Sequence, residues 1–258
     1  MESLLIVVFL FGALVGSFLN VCIYRLPREE SVMWPASHCP QCSRPIAPYD
    51  NFPVLSYLIL RGRCRSCGVR IPLQYPLVEL ANALGWVAVV WHFGWGWPAA
   101  AYMAFVSALI VITGTDLSHT MIPDAVTLPG MVLGLGAAAT VLPIGLGDSV
   151  LGLLIGGGLL WGLAVASPYL FGKEGMGGGD IKLLGMVGAF LGWRPALLTI
   201  MIGALIGSIV GLSLIGFKIL RRDEYIPFGP FLSLGALLSL FFHQALLDWY
   251  WSFLQPTP

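Results

Sequence analysis

The sequence predicts an all-α polytopic membrane protein with about eight transmembrane helices and a small polar domain between helices 1 and 2. Three observations carry this prediction. Of the 258 residues, 57% are hydrophobic and only 10% are charged, and the mean hydropathy is +0.86, a composition typical of polytopic membrane proteins. Apolar windows of roughly the 20 residues that cross a bilayer recur along the chain. The basic residues are concentrated in the segments between these windows.

The apolar windows give the order of the predicted helices. The sixth window is short, and only the Gly-Trp-Arg-Pro sequence at 192–195 separates it from the seventh. The windows lie at residues 3–23, 77–95, 99–116, 125–143, 149–171, 182–193, 196–217 and 229–253.

The first window has the length of a signal peptide as well as that of a membrane helix. A signal peptide carries positive charge before its apolar run and a small-residue cleavage site after it. Here Glu2 precedes the run, whereas Arg25 and Arg28 follow it. We therefore expect a retained transmembrane helix.

The distribution of Lys and Arg tests the order of the helices. Seven of the thirteen lie between Arg25 and Arg70, so the positive-inside rule places that segment in the cytoplasm. The segments on the same side would be 24–76, 117–124, 172–181 and 218–228. Together with Lys182 at a helix mouth they hold twelve of the thirteen basic residues, and only Arg194 falls outside. This bias supports the predicted topology, with both termini outside.

Two cysteine pairs in the first polar segment predict a metal site. CPQC at 39–42 and CRSC at 64–67 supply Cys39, Cys42, Cys64 and Cys67, and such paired spacing is typical of a four-cysteine zinc site. Two disulfides are the alternative, but cytoplasmic thiols stay reduced. Four thiolates leave zinc no open position for catalysis, so its expected role is to fold a segment with little apolar core.

Two aspartates lie at the cytoplasmic ends of predicted membrane helices. Asp116 ends the third window, and Asp180 lies at the mouth of the sixth, within GMGGGDIK at 175–182. Charged side chains at membrane depth are costly and mark functional sites. Two close carboxylates share one proton, so one can activate water while the other polarises a carbonyl, as in aspartic proteases. A carboxylate-dependent transporter is the alternative, although we find neither inverted repeats nor midplane carboxylates.

Three further charged residues lie near the same membrane face. Asp124 follows Pro123, and we interpret it as the N-cap of the fourth helix. Glu79 opens the second helix and faces the cysteine segment. Lys182 is either a positioning residue or a side chain that snorkels to the interface. The sequence does not assign a chemical role to any of the three.

Taken together, these segments resemble the bacterial type IV prepilin peptidases, which are GxGD intramembrane aspartic proteases. GMGGGDIK resembles the GxGD motif, and the similarity extends over nearly the whole chain. The other similar segments are GSFLNVCIYRLP at 16–27, CPQC, PVLSYLILRGRC at 53–64, CRSC, YPLVEL at 75–80, TDLSHTMIPD at 115–124 and IPFGPFLSLGA at 226–236. One departure is Gly178 at the x of GxGD, where that family commonly has an aromatic residue.

The resemblance implies a bifunctional enzyme of the bacterial inner membrane. It would cleave the basic leader of type IV prepilins or type II secretion pseudopilins at the cytoplasmic face. It would then N-methylate the new terminal residue with S-adenosylmethionine. By motif position, Asp116 and Asp180 would be the catalytic pair.

The resemblance also divides the chain into functional regions. Residues 1–23 would be the first transmembrane helix, 24–76 a zinc segment associated with methylation, and 77–258 the transmembrane peptidase domain. The expected partners are the prepilin or pseudopilin substrates and the lipid bilayer, with no nucleic acid. The sequence contains no glycine-rich nucleotide motif that would locate the methyl donor, and it does not reveal the oligomeric state.

Overall fold

A computed structural model describes residues 2–172, 177–219 and 226–254 of the chain, and this part is almost entirely helical. Short 3₁₀ turns at Leu26–Arg28 and Pro48–Asp50 interrupt the polar segment. The helices are α1 Glu2–Arg25, α2 Leu55–Ile59, α3 Gln74–Phe93, α4 Trp97–His119, α5 Asp124–Thr140, α6 Gly145–Phe171, α7 Gly178–Leu191, α8 Trp193–Gly216 and α9 Gly229–Leu254.

Each of the eight apolar windows coincides with a helix, but the described residues confirm fewer than eight spans. Six helices are long and apolar enough to cross a membrane, namely α1, α3, α4, α6, α8 and α9. Helix α5 has 17 residues and α7 has 14. At 1.5 Å per residue α7 is about 21 Å long, which is less than the roughly 30 Å of a hydrocarbon core. A membrane protein with six candidate spans is therefore established.

The chain divides into two compact units between Thr115 and Asp116. In the first unit α1 packs closely on α3 through glycines. A Cβ atom added at Gly16 would lie 2.6 Å from the Glu79 Cα, and one added at Gly12 would lie 2.9 Å from the Ala83 Cα. Small residues at this spacing allow helix backbones to approach in lipid.

A chain of buried hydrogen bonds joins three helices of the first unit. The Asn82 amide on α3 donates to the Gly12 carbonyl of α1 at 2.7 Å. The Ser107 hydroxyl on α4 donates to the Asn82 side-chain oxygen at 2.8 Å, and the Trp86 indole donates to Ser107 at 3.0 Å. Because both polar ends of Asn82 are paired, its burial is compensated.

Helix α7 is the core of the second unit. Every residue from Leu183 to Leu191 is buried, so this helix faces protein on all sides along that stretch. Gly152 and Gly188 bring α6 and α7 into backbone contact, and the Ser149 hydroxyl donates to the Ala189 carbonyl at 2.5 Å. Because α7 is enclosed, its first turn presents Asp180 from a rigid element.

Candidate functional site

Asp116 is held in the last turn of α4 by the start of another helix. Its side chain is 3% exposed, and its Oδ2 atom accepts a hydrogen bond from the Gly229 backbone N–H at 2.9 Å. Gly229 is the first residue of α9. The first N–H groups of a helix have no partner within it and carry partial positive charge, so they stabilise a carboxylate.

Asp180 is the third residue of α7 and is 5% exposed. The helix starts after Gly177, whose backbone is extended, and the Asp180 N–H donates to the Gly177 carbonyl at 3.2 Å. The Asp180 carboxylate lies near enough to Asp116 for the two charges to interact. The structure therefore brings the two predicted aspartates together within the second unit.

Ile122 packs against Gly179 and Gly229, the glycines that adjoin the two aspartates. A Cβ atom added at Gly179, next to Asp180, would lie 2.8 Å from the Ile122 Cβ. One added at Gly229 would lie 3.2 Å from the Ile122 Cδ1. At Gly178, in contrast, an added Cβ would meet no atom within 4 Å. The x position of the motif therefore borders open space, while Gly175 and Met176 lie outside the described residues.

Asp124 does not cap α5, contrary to the prediction from the sequence. Pro123 occupies the N-cap position, and Asp124 is the first helical residue, without a side-chain capping bond. Its carboxylate instead pairs with Lys182, whose Nζ lies 2.7 Å from both oxygens. Both side chains are exposed. This partner lies 58 positions along the chain, which explains why local sequence favoured the cap.

The four paired cysteines form one cluster in the first unit, and none of the five cysteines forms a disulfide. The Sγ atoms of Cys39, Cys42, Cys64 and Cys67 all lie within 4.8 Å of one another. The Cys39 and Cys67 sulfurs are 3.8 Å apart. A tetrahedral zinc site with Zn–S bonds of about 2.3 Å has sulfur–sulfur distances of about 3.8 Å, so the donor set fits zinc.

The two CxxC turns have the same local structure. In each turn, the N–H of the first cysteine donates to the carbonyl of the residue five positions later. The distance is 3.0 Å from Cys39 to Arg44 and 2.8 Å from Cys64 to Val69. The residues directly after each CxxC, Ser43 and Gly68, both have positive φ, 55° and 72°. This matching geometry directs both pairs of sulfurs towards one point.

The second turn favours the thiolate form at Cys64 but not at Cys67. Backbone N–H groups of Cys67 and Ser66 donate to the Cys64 sulfur and lower the pKa of its thiol to about 7. Hydrogen bonds to the ionised form have this effect on a cysteine. The pKa of Cys67 is raised to about 11 despite a hydrogen bond from the Val69 N–H, because burial and the neighbouring thiols favour its neutral form. The neighbouring Arg65 makes a bidentate pair with Asp50, at 2.7 Å for both bonds, which anchors the turn to the preceding segment.

Glu79 faces the cysteine segment, as its position in the sequence predicted. It lies in the second turn of α3 and is 7% exposed. Its Oε2 atom accepts a hydrogen bond from the Val54 N–H at 2.7 Å. This carboxylate therefore links α3 to the polar segment.

Two residues of these sites were missed by reasoning from the sequence. Gly229 contributes a backbone N–H, and only its place in Pro-Phe-Gly-Pro, where a helix starts after a proline turn, could have indicated it. Asn20 is buried in α1 beside Gly16 and Tyr75. A polar residue within an apolar window was its available signal.

Family models match most of the chain. The Bacterial Peptidase A24 N-terminal domain matches residues 10–93, and the Type IV leader peptidase family matches residues 103–212. No solved structure matches the chain significantly.

Curated relatives that match this chain carry the name prepilin leader peptidase/N-methyltransferase. The protein of Aeromonas hydrophila is 39% identical, with 94% of this chain and 92% of the relative covered. That of Pseudomonas aeruginosa is 37% identical, with 95% and 92% covered. That of Myxococcus xanthus is 39% identical, with 81% of this chain and 63% of the relative covered.

Proposed function

The chain belongs to the type IV leader peptidase family, and on this premise we propose that Asp116 and Asp180 cleave prepilin leaders while the segment at 24–76 serves N-methylation. The chain has leader peptidase and N-methyltransferase activity, since relatives of that name match it over nearly its full length. The transporter hypothesis has no support. The observation that carries the catalytic assignment is the pair of buried carboxylates at adjoining helix ends.

The surroundings of the two aspartates favour different protonation states. The Gly229 N–H donates to Asp116, and the start of α9 favours its charge. Because two adjacent carboxylates share one proton, we assign the proton to Asp180. Asp116 would then take a proton from a water molecule, and the oxygen of that water would attack the scissile carbonyl carbon. Asp180 would protonate the carbonyl oxygen in the same step. When the C–N bond breaks, the proton on Asp116 passes to the leaving nitrogen, and Asp180 takes back a hydroxyl proton as the new C=O bond forms, which restores the starting state of the pair.

The location at helix ends suits a substrate that is itself an apolar helix with a basic leader. Its helix would remain in the bilayer, and its scissile bond would lie at the interface. The open space beside Gly178 leaves room for an extended backbone next to Asp180. By the positive-inside rule this face is cytoplasmic, in the bacterial inner membrane. The substrates would be prepilins or secretion pseudopilins.

Zinc would be held by Cys39, Cys42, Cys64 and Cys67 and would fold the segment at 24–76. Each thiolate would have to lose its proton, and no ligand position would stay open for chemistry. The methyl donor we propose is S-adenosylmethionine, which supplies an electrophilic methyl group on a sulfonium. The zinc-bearing segment would thus be a scaffold for methylation, while the remaining helices from 77 to 258 would include the peptidase site.

Cys42→Ser should release zinc and reduce methylation. Three remaining thiolates cannot complete a four-sulfur tetrahedron, so the segment at 24–76 should become sensitive to proteolysis. Metal content by mass spectrometry and methylation of a pre-cleaved peptide measure the two effects. Cys22→Ser is the matched control, because Cys22 lies in α1 apart from the cluster. An unchanged zinc content in Cys42→Ser would rule out the four-cysteine site.

Asp124→Asn tests the assignment of the catalytic pair. This carboxylate lies at the same helix ends but is exposed and paired with Lys182. Exposed ion pairs contribute about 0–1 kcal/mol, so cleavage should stay within about fivefold of wild type. The rate of leader removal from a purified prepilin measures this. Complete loss of cleavage would place Asp124 in the catalytic set and refute a dyad made of Asp116 and Asp180 alone.

A further inference from the structure

Glu79 is a buried carboxylate without a cationic partner. Its side chain is 7% exposed, and it accepts one hydrogen bond from the Val54 N–H, with the Ser17 hydroxyl also interacting favourably with it. The ion pairs of the described residues are Arg65–Asp50 and Lys182–Asp124, so none of them includes Glu79. Buried charges are ordinarily paired, and an unpaired one at membrane depth marks a functional site.

Asn20 presents an unsatisfied acceptor from the facing helix. It is 4% exposed, and its amide nitrogen donates to the Gly16 carbonyl at 3.3 Å and the Tyr75 carbonyl at 3.1 Å. Two carbonyl acceptors fix the orientation of the amide, because the flipped form would set oxygen against oxygen. The Oδ1 atom has no hydrogen-bond partner. A buried acceptor of this kind requires an explanation.

The two acceptors lie on contacting faces of α1 and α3. Gly16, which accepts from Asn20, packs against the Glu79 backbone, where an added Cβ would lie 2.6 Å from the Glu79 Cα. Tyr75, the other acceptor for Asn20, precedes Glu79 by about one helical turn. Asn20 and Glu79 therefore belong to one polar cluster at the start of α3.

The loop that covers this cluster is strained. Val54 has φ 60° and ψ −49°, and the Leu55 N–H donates to the Pro53 carbonyl at 2.6 Å, which defines a γ-turn. This form of γ-turn is rare, and positive φ is a true outlier for a β-branched residue. The turn directs the Val54 N–H at Glu79. Such strain persists where the surroundings enforce it, often at functional sites.

We propose that Glu79 and Asn20 bind the α-ammonium group of the cleaved substrate and that Glu79 accepts its proton. This inference rests on the proposed function, because cleavage creates that group. An ammonium carries three donors and no acceptor, and the cluster offers a carboxylate and an unpaired amide oxygen. Phe52 and Leu55, which flank the turn, are each about half exposed and would contact an apolar terminal residue.

The proton transfer supplies what methylation requires. An α-amine has an ordinary pKa of about 7.7–8.0 and is mostly protonated in the cytoplasm, so its lone pair is blocked. Glu79 takes one proton from the nitrogen, which leaves a neutral amine and a neutral carboxylic acid. The freed lone pair then forms the N–C bond to the donor methyl, while the donor's C–S bond breaks and its electron pair stays on sulfur.

The test measures cleavage, methylation and amine binding on the same full-length variants. Glu79→Gln should reduce methylation at least about 100-fold, the usual effect of removing a general base. Leader cleavage, zinc content and thermal unfolding should stay at wild-type values. Asn20→Leu should act in the same direction, and Asn20→Asp should restore part of the activity because it retains an acceptor. Asn82→Leu is the control, since it removes a fully paired buried amide from the same helix contact and should lower both activities equally.

Binding of a synthetic peptide separates amine recognition from a structural role. The peptide carries the mature amino-terminal sequence with a free or an acetylated α-amine. Wild type should prefer the free amine by about tenfold or more, as expected for hydrogen bonds to charged groups, and Glu79→Gln should lose that preference. Equal binding of both peptides by wild type, or normal methylation by Glu79→Gln, would overturn the proposal.

The donor carries an ammonium group too, so binding of S-adenosylmethionine is measured alongside. It should be unchanged in Glu79→Gln. If donor binding is lost while the peptide preference persists, the assignment to the substrate amine is wrong. Wild-type protein could also bind the free-amine peptide selectively and yet fail to cleave a prepilin. That result would contradict the proposed peptidase function but would support the amine site.

Discussion

Asp116→Asn and Asp180→Asn are each expected to leave a purified prepilin uncut. An amide at position 116 cannot take a proton from water, and one at position 180 cannot hold the proton for the carbonyl. General acid–base catalysis contributes about 10²–10⁴-fold per group, so each rate should fall by at least about 10³-fold. Residues that act as a unit are not additive, and the double variant should therefore lose little more. Gel mobility and product mass follow the reaction.

The matched control for these variants is Asp148→Asn. Asp148 lies exposed in the first turn of α6. The Asp148→Asn variant should therefore cleave at the wild-type rate. Both catalytic variants should still methylate a synthetic peptide that already has the mature terminus. Substantial cleavage by either variant would remove that aspartate from the mechanism.

Gly229→Ala is expected to reduce cleavage by about 100-fold while every carboxylate is kept. Its new Cβ would lie 2.7 Å from the Asp116 Oδ2 and 3.2 Å from the Asp116 Cγ, closer than carbon and oxygen atoms pack. The carboxylate must move, and the 2.9 Å hydrogen bond from the Gly229 N–H is lost or distorted. Misplacement of a catalytic group by about 1 Å costs on the order of 10²-fold.

Gly158→Ala controls for the effect of adding a methyl group to a membrane helix. An added Cβ at Gly158 in α6 meets no atom within 4 Å, so this variant should cleave normally. Methylation of a pre-cleaved peptide by Gly229→Ala, together with its zinc content, shows whether the rest of the chain is intact. Normal cleavage by Gly229→Ala would mean that the contact with Asp116 has no role in the reaction.

Much of the architecture was accessible from local sequence. Apolar windows such as 3–23 and 229–253 correspond to α1 and α9, because length and hydropathy alone decide a membrane helix. The four cysteines come together as predicted, since a CxxC turn already directs its two sulfurs to one side. The association of Asp116 with Asp180 was also expected, because the sequence predicted both at helix ends on the same membrane face.

Other features depend on partners that are distant in sequence. The Gly229 donor is a backbone group, so no side chain identified it. The ion pair of Asp124 with Lys182 replaced an expected helix cap because the start of α7 lies beside that of α5. Helix α7 was predicted as an apolar window, but its residues from Leu183 to Leu191 are enclosed by protein, and hydropathy does not separate burial in protein from burial in lipid. The free acceptor of Asn20 becomes visible only when α1 and α3 are packed.

The mass of one prepilin after incubation with purified wild-type chain and S-adenosylmethionine tests the central claim most directly. We expect a single product that has lost its leader and gained one methyl group, because one chain carries both the aspartate pair and the methylation segment. Without the donor, the product should be shortened but not methylated. A prepilin of unchanged mass, under conditions in which the chain is folded and zinc-loaded, would contradict the account.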